Sequence, residues 1–301
     1  SMYYLAKSLD LTRLVEDNSI CCGRGHTETD INSWHAYLAG WEWDDYLKTL
    51  TENTYEGSTH HFEEGFTQGR QPNINSECGN VWGYEGSTGD VDWSWDYHRM
   101  INSFRKYPKV AGWLYTEHHD VINEWNGYWR FDRSEKFTGL GEIVEGMSLK
   151  DLHANVYLST GGEICRTVQG GESVQVPLFL YAMTGEAFGP ELLMEYELTT
   201  TNYIGETEKH TSGSRPVAYT PWMQEVLEPL SIQLPDRAGV ATLALRISTA
   251  EGEVLHRNFM HLEILSDREI PWTTMISTPA RRYSRAEWSR RHWEVLEGKK
   301  V

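Results

Sequence analysis

The hydrophobic period of this chain changes once, near residue 141, and that change limits what it can fold into. Before it, short apolar runs alternate with stretches of helical spacing. The runs are TRLVEDNS (12–19), TDINSWHAY (29–37), PNINSE (72–77) and KVAGWLYTE (109–117). Between them DDYLKTLTENTYEG (44–57) has a helical pattern. DVDWSWDYHRMINSFRKY (90–107) does too, with Trp93, Tyr97, Met100, Ile101 and Phe104 on one side and Asp90 near its start. Such alternation predicts four parallel strands with crossover helices, an α/β arrangement. After residue 141, ESVQVPLFLYAM (172–183), LLMEYELTT (192–200), VATLALRIST (240–249) and VLHRNFMHLEIL (254–265) alternate in period two, punctuated by QGGE and LPDRAG. That pattern predicts an antiparallel, immunoglobulin-like β-sandwich. Segment 266–283 reads as extended. SRAEWSRRHWEVLEG (284–298) reads as a helix, with Ser284 and Glu287 forming a capping box and Gly298 as its stop. The expected units are therefore 1–140, the sandwich 141–265, and the tail and helix 266–301.

Charge removes several function classes. The formal net charge of −17 argues against nucleic acid, which needs a basic stripe, and against an anionic membrane surface. No run approaches the ~18 apolar residues of a membrane span. The opening SMYYLAKSLD lacks a signal-peptide pattern and reads as two vector-derived residues before an internal segment. Cys21, Cys22, Cys78 and Cys165 have neither metal spacing nor a disulfide framework, so they read as reduced thiols and leave the compartment open. The pairs His60–His61 and His118–His119 would point to opposite sides of an extended backbone, so no shared metal is expected. No cofactor is expected either.

Aromatic residues concentrate where the strands end. Of 13 tryptophans, nine fall between Trp34 and Trp129. Any one of them is accounted for as a large core residue. Nine near a carboxylate fit a sugar-binding cleft, because flat rings stack on the apolar faces of pyranoses. In NINSECGNVWG (73–83) the third strand ends on Glu77, followed by Cys78–Gly79. Functional groups of parallel α/β sheets gather at such C-terminal strand ends.

In their order, DLTRLVEDNS, DINSWHAY, INSECGNVWG and VAGWLYTEHHDVINEWNGYWRFDRSEKFTGL resemble the fifth to eighth barrel strands of glycoside hydrolase family 2, the β-galactosidase, β-glucuronidase and β-mannosidase group. The resemblance covers almost the whole chain. It implies the C-terminal half of a (β/α)8 barrel followed by the sandwich, and a retaining hydrolysis of β-glycosides. It places the nucleophile at Glu77, with Cys78 standing where the family often has tyrosine. His35 and Tyr37 match sixth-strand positions near sugar and nucleophile. Tyr115 matches an eighth-strand aromatic that floors the sugar subsite. Glu117 binds a sugar hydroxyl or forms a structural ion pair. Asn18 and Trp82 are assigned to substrate, with a structural role open for Asn18 and its neighbour Asp17. Trp34 is open between site and core. The family's acid/base glutamate follows an asparagine on the fourth strand, and Asn123–Glu124 stands beyond the eighth. The general acid is therefore expected to be missing, and activity of the isolated chain very low, since acid–base catalysis contributes roughly 10²–10⁴-fold. Absence of the Asn-x-Lys motif of family glucuronidases favours a neutral sugar. The expected partners are a β-glycoside and either a second copy or the missing N-terminal half, which would cover free strand edges. The alternative is a non-catalytic carbohydrate-binding or structural module.

Overall fold

The computed structural model describes residues 2–21, 23–79, 92–121 and 125–266. The predicted helix 284–298, nearly all of segment 266–283, Trp82 and Asn123–Glu124 lie outside the described residues. The described residues up to Leu265 form one compact unit. Within it, strands dominate.

Helix α1 (Met2–Leu9) opens the chain. Strands β1 (Asn32–Tyr37), β2 (Asn73–Gly79) and β3 (Val110–Tyr115) pair in parallel in that order. Helix α2 (Trp43–Asn53) separates the first two strands, and helix α3 (Ser94–Lys106) the second and third. Their apolar stripes form the core of this layer. Trp43, Leu47 and Leu50 of α2 meet Tyr97, Met100, Ile101 and Phe104 of α3 in one buried cluster with Trp34 and Cys78. Each such side chain contributes roughly 1.5–3 kcal/mol on leaving water. Asp44 and Asp45 in the first turn of α2, and Arg105 and Lys106 in the last turn of α3, suit the helix dipoles.

The predicted strand at 12–19 does not form, so the described parallel strands number three rather than four. The reason lies in Glu16 and Asp17. Asp17 accepts from the Thr27 backbone (2.7 Å) and hydroxyl (3.0 Å) and pairs with His26 Nδ1 at 2.7 Å. Glu16 accepts from Ser19 Oγ (3.0 Å) and Ser33 Oγ. Side chains that satisfy neighbouring donors compete with a strand ladder. Only scattered backbone bonds remain, Asp30 N to Val15 O (2.9 Å) and His35 N to Ile20 O (2.6 Å).

Short helices α4 (Leu140–Ile143) and α5 (Leu149–Leu152) lead into the sandwich. Its strands are β4 (Val156–Ser159), β5 (Cys165–Gln169), β6 (Ser173–Ala182), β7 (Glu191–Thr201), β8 (Thr207–Ala218), β9 (Gln224–Gln233), β10 (Gly239–Ser248) and β11 (Val254–Leu265). Five pair in the order β5–β11–β10–β7–β8, and three in the order β4–β6–β9. The sandwich is not wholly antiparallel, because β5 runs parallel to β11. Period two explains the packing: Ala241, Leu243, Leu245 and Ile247 of β10 point inward with Met194 and Leu198 of β7 and Val176 and Leu178 of β6. Strand β8, TEKHTSGSRPVA, is polar and carries Pro216, features an edge strand tolerates.

Helix α3 also touches the sandwich through a buried polar network. Asn258 Nδ2 donates to Asn102 Oδ1 (2.9 Å) and Leu158 O (2.6 Å), and its Oδ1 accepts from the Phe259 backbone at 2.8 Å. Tyr157 Oη donates to Asn102 Oδ1 at 3.1 Å, and His98 Nε2 meets Asn258 Oδ1. His256 Nδ1 accepts from the Leu158 backbone at 3.0 Å. Burial lowers His98 to about 4 and holds His256 well below the ordinary histidine value. His61, also buried, is lowered to about 3.

These histidines make the fold acid-labile. Each is neutral when folded but binds a proton near pH 6.5 when unfolded. Their contribution is therefore complete above about pH 6.5 and is lost as pH falls towards 4. His98 alone accounts for about 3 kcal/mol over that window. Urea denaturation at pH 7.5 and 4.5 is expected to show a much lower midpoint at pH 4.5, with a smaller difference in His98→Gln. Equal midpoints at the two pH values would contradict this.

Candidate active site

Parallel pairing places three polar side chains on one face of the sheet. His35 lies opposite Glu77 and Tyr37 opposite Gly79, with a register shift between Trp34 and His35. Alternation sends Trp34 and Cys78 to the other face, into the helix-covered core. The Tyr37 hydroxyl donates to Glu77 Oε1 at 2.8 Å. His35 Nδ1 stands 3.5 Å from Glu77 Oε2. The Glu77 side chain is 38% exposed and that of His35 15%, so the carboxylate is held on one side and open to solvent on the other.

Gly79 makes this geometry possible. A Cβ there would lie 2.9 Å from the Tyr37 ring and 3.0 Å from the Asn126 carboxamide. Tyr37 therefore reaches Glu77 by crossing a residue with no side chain. Cys78 packs away from the site with Sγ 3.6 Å from Leu114 O, and burial pushes its thiol up.

Behind Cys78 lies an aromatic wall. Tyr115 pairs with Cys78 in the register and stacks on Trp93 at 5.2 Å, with Tyr97 at 4.5 Å and Tyr128 at 5.1 Å. The Tyr97 hydroxyl meets those of Tyr128 (2.8 Å) and the His153 ring (3.1 Å), and accepts from Trp113 Nε1 at 3.3 Å. Burial pushes the Tyr97 and Tyr115 hydroxyls well up and lowers His153, so all stay neutral near pH 7.

The other predicted residues are placed as follows. Glu117 follows β3 and its carbonyl accepts from the Tyr128 backbone at 3.3 Å. Asn18 is exposed and its Nδ2 donates to Gly25 O at 3.4 Å. Trp34 is 2% exposed and stacks on His61, which resolves it as core. Trp82 lies outside the described residues. The structure thus brings His35 and Tyr37 to Glu77, sets Tyr115 in the wall behind it, and leaves Asn18 with Gly25. Sequence reasoning did not assign Gly79, Trp93 or Asn126 to the site. In WNGYW (125–129) Gly127 is pressed against the backbone, where a Cβ would lie 2.2 Å from Asp120 N, a constraint visible only in the folded loop.

A second alignment, Ser33 Oγ to His26 Nε2 (3.5 Å) and His26 Nδ1 to Asp17 (2.7 Å), has the order of a nucleophile, base and orienting acid. Ser33 and His26 are fully buried, so no substrate reaches them. Among the described residues, no group of three or more His, Cys, Asp or Glu side chains is placed to hold a metal. No described helix is long and apolar enough to cross a membrane.

No protein-family model matches the chain, and no curated protein does. Solved structures do. A β-glucuronidase from Bacteroides uniformis aligns over 88% of this chain and 30% of its own, at 14% identity and TM-score 0.34. A Bacteroides fragilis protein assigned as a β-galactosidase aligns over 89% of this chain and 38% of its own, at 13% identity and TM-score 0.34. A PapD-like domain of human CEP192 aligns over 38% of this chain and 87% of its own, at 12% identity and TM-score 0.25. The chain spans about a third of the length of the two Bacteroides proteins. At these scores the likeness assigns no family.

Proposed function

We propose that this chain carries the nucleophile of a retaining β-glycosidase of the glycoside hydrolase family 2 type, and that Glu77 is that nucleophile. The observation that carries the reading is the Glu77 carboxylate itself. It stands near the C-terminal end of a parallel strand, anchored by Tyr37 at 2.8 Å, flanked by His35 and open to solvent. Retaining hydrolysis uses two carboxyl groups about 5–5.5 Å apart. One attacks the anomeric carbon, the bond to the leaving oxygen breaks, and a glycosyl ester forms. The other protonates the leaving oxygen and then takes a proton from the water that hydrolyses the ester. With Tyr37 on Oε1, Oε2 is the attacking oxygen.

In this reading the three-stranded sheet is part of a (β/α)8 barrel and residues 141–265 are the sandwich domain that follows it. Glu117, Asn18 and Trp82 are assigned to the sugar-binding wall, whereas Tyr115, expected there from the sequence, lies on the helix side with Cys78 and backs the strand. The acid/base is assigned to a carboxyl group outside this chain, so the isolated chain turns over substrate poorly. Exposed apolar groups support pairing through the sheet layer. Leu114 on β3 is 61% exposed, and Leu9, Leu11 and Leu14 stand out near the N-terminus. A sheet edge and face of this kind favour association.

Two measurements test the reading. In the full-length protein, Glu77→Gln is expected to lower turnover of an activated aryl β-glycoside by several orders of magnitude, and nearly unchanged turnover sinks the assignment. Light scattering of the 301-residue chain at micromolar concentration is expected to give a dimer or larger species. A stable monomer near 34.7 kDa refutes the pairing.

A further inference from the structure

The loop after β3 contains the most deeply buried ion pair among the described residues. Lys136 Nζ lies 2.6 Å from Asp120 Oδ1, and their side chains are 1% and 2% exposed. The same Asp120 oxygen accepts from the Gly127 backbone at 2.9 Å, and Lys136 Nζ also donates to Trp125 O at 2.8 Å. Asp120 N donates to Trp129 O at 2.9 Å, closing the loop at its base. Two opposite charges thus tie residues 120, 125, 127 and 136 to one point. Between two of those ties sits Asn126, 4% exposed, with its carboxamide against Gly79.

A buried ion pair of this kind does not stabilise a fold more than well-packed apolar side chains of the same volume, because desolvation offsets the attraction. It does fix geometry, because each charge has few arrangements that satisfy it. The geometry it fixes leads to Glu77. The Asn126 carboxamide and the Tyr37 ring share the space over Gly79, each about 3 Å from where a Cβ would stand. The ring atom nearest Gly79 adjoins the carbon that bears the hydroxyl, and that hydroxyl holds Glu77 Oε1 at 2.8 Å.

We propose that Asp120 and Lys136 are positioning residues of the Glu77 site: their buried pair holds Asn126 against Gly79, and Asn126 in turn sets the angle at which Tyr37 meets the Glu77 carboxylate. The inference deepens the glycosidase reading and rests on it. A misplacement of about 1 Å at a reacting group is enough for roughly 10²-fold in rate.

The test uses two variants. Asp120→Asn with Lys136→Met removes both charges together, so no unpaired buried charge remains. Asn126→Ala removes the wedge and leaves the ion pair intact. The protein is labelled with 3-fluorotyrosine, and the Tyr37 resonance is assigned from its loss in Tyr37→Phe. Both variants are expected to move that fluorine resonance. In the full-length protein, both are expected to lower kcat on a 2,4-dinitrophenyl β-glycoside about 10–100-fold, with KM changed far less. A Tyr37 resonance at its wild-type position in both variants, or wild-type kcat in both, overturns the inference. If the wild-type protein turns over no glycoside and Glu77→Gln changes nothing, the glycosidase reading fails instead. The resonance still decides whether the pair positions Tyr37.

Discussion

The hydrogen bond from Asn258 Nδ2 to Asn102 Oδ1, at 2.9 Å, joins the two layers of this chain. Asn102 belongs to the helix that backs the parallel sheet, and Asn258 to a central strand of the sandwich. Both are fully buried, so each needs its partners, and leaving one unsatisfied costs about 1–3 kcal/mol. Around them His98, Tyr157 and the Leu158 carbonyl complete the network. One strand therefore serves two cores. Met260 and Leu262 of β11 point into the sandwich, while Phe259 stacks on His98 at 4.3 Å and joins the helix-covered cluster. The position of α3 follows from this network. On α3 rests the aromatic wall of Tyr97, Trp93 and Tyr115 behind the Glu77 strand.

The chemistry of the site depends on how that wall and the strand divide their work. Apolar and aromatic side chains on the helix side bury Cys78, partly bury Tyr115 and hold both neutral. The opposite face of the same strands carries His35, Tyr37 and Glu77, where a carboxylate meets solvent. A register shift between Trp34 and His35 helps set this face, because a shift of one residue moves side chains from one face to the other.

Much of this was legible in the sequence. Helical spacing at Trp93, Tyr97, Ile101 and Phe104 located α3, and the period-two run VATLALRIST located β10. Glu77 near a strand end, with His35 and Tyr37 on the neighbouring strand, followed from alternation and from the family resemblance. What the sequence hid has physical causes. Apolar residues at 12–19 mimicked a strand, but Glu16 and Asp17 satisfy local donors and fold the segment back. The edge strand β8 has a polar face towards solvent and a proline, so its period was too weak to see. The β5–β11 parallel pairing depends on tertiary order, which local patterns do not encode. Gly79 and Asn126 act through close approach, a property of the assembled site rather than of their own sequence neighbourhood.

Attack of Glu77 on an anomeric carbon is the proposed step on which the functional reading rests. The most direct measurement is covalent labelling of the full-length protein with 2,4-dinitrophenyl 2-deoxy-2-fluoro-β-glycosides. Their leaving group needs no general acid, and their glycosyl ester hydrolyses slowly. Intact mass is expected to rise by one fluoroglycosyl group, and peptide mapping to place that group on Glu77. A label on another carboxylate, or no label with any sugar of a gluco-, galacto-, manno- and glucurono-configured panel, would contradict the account.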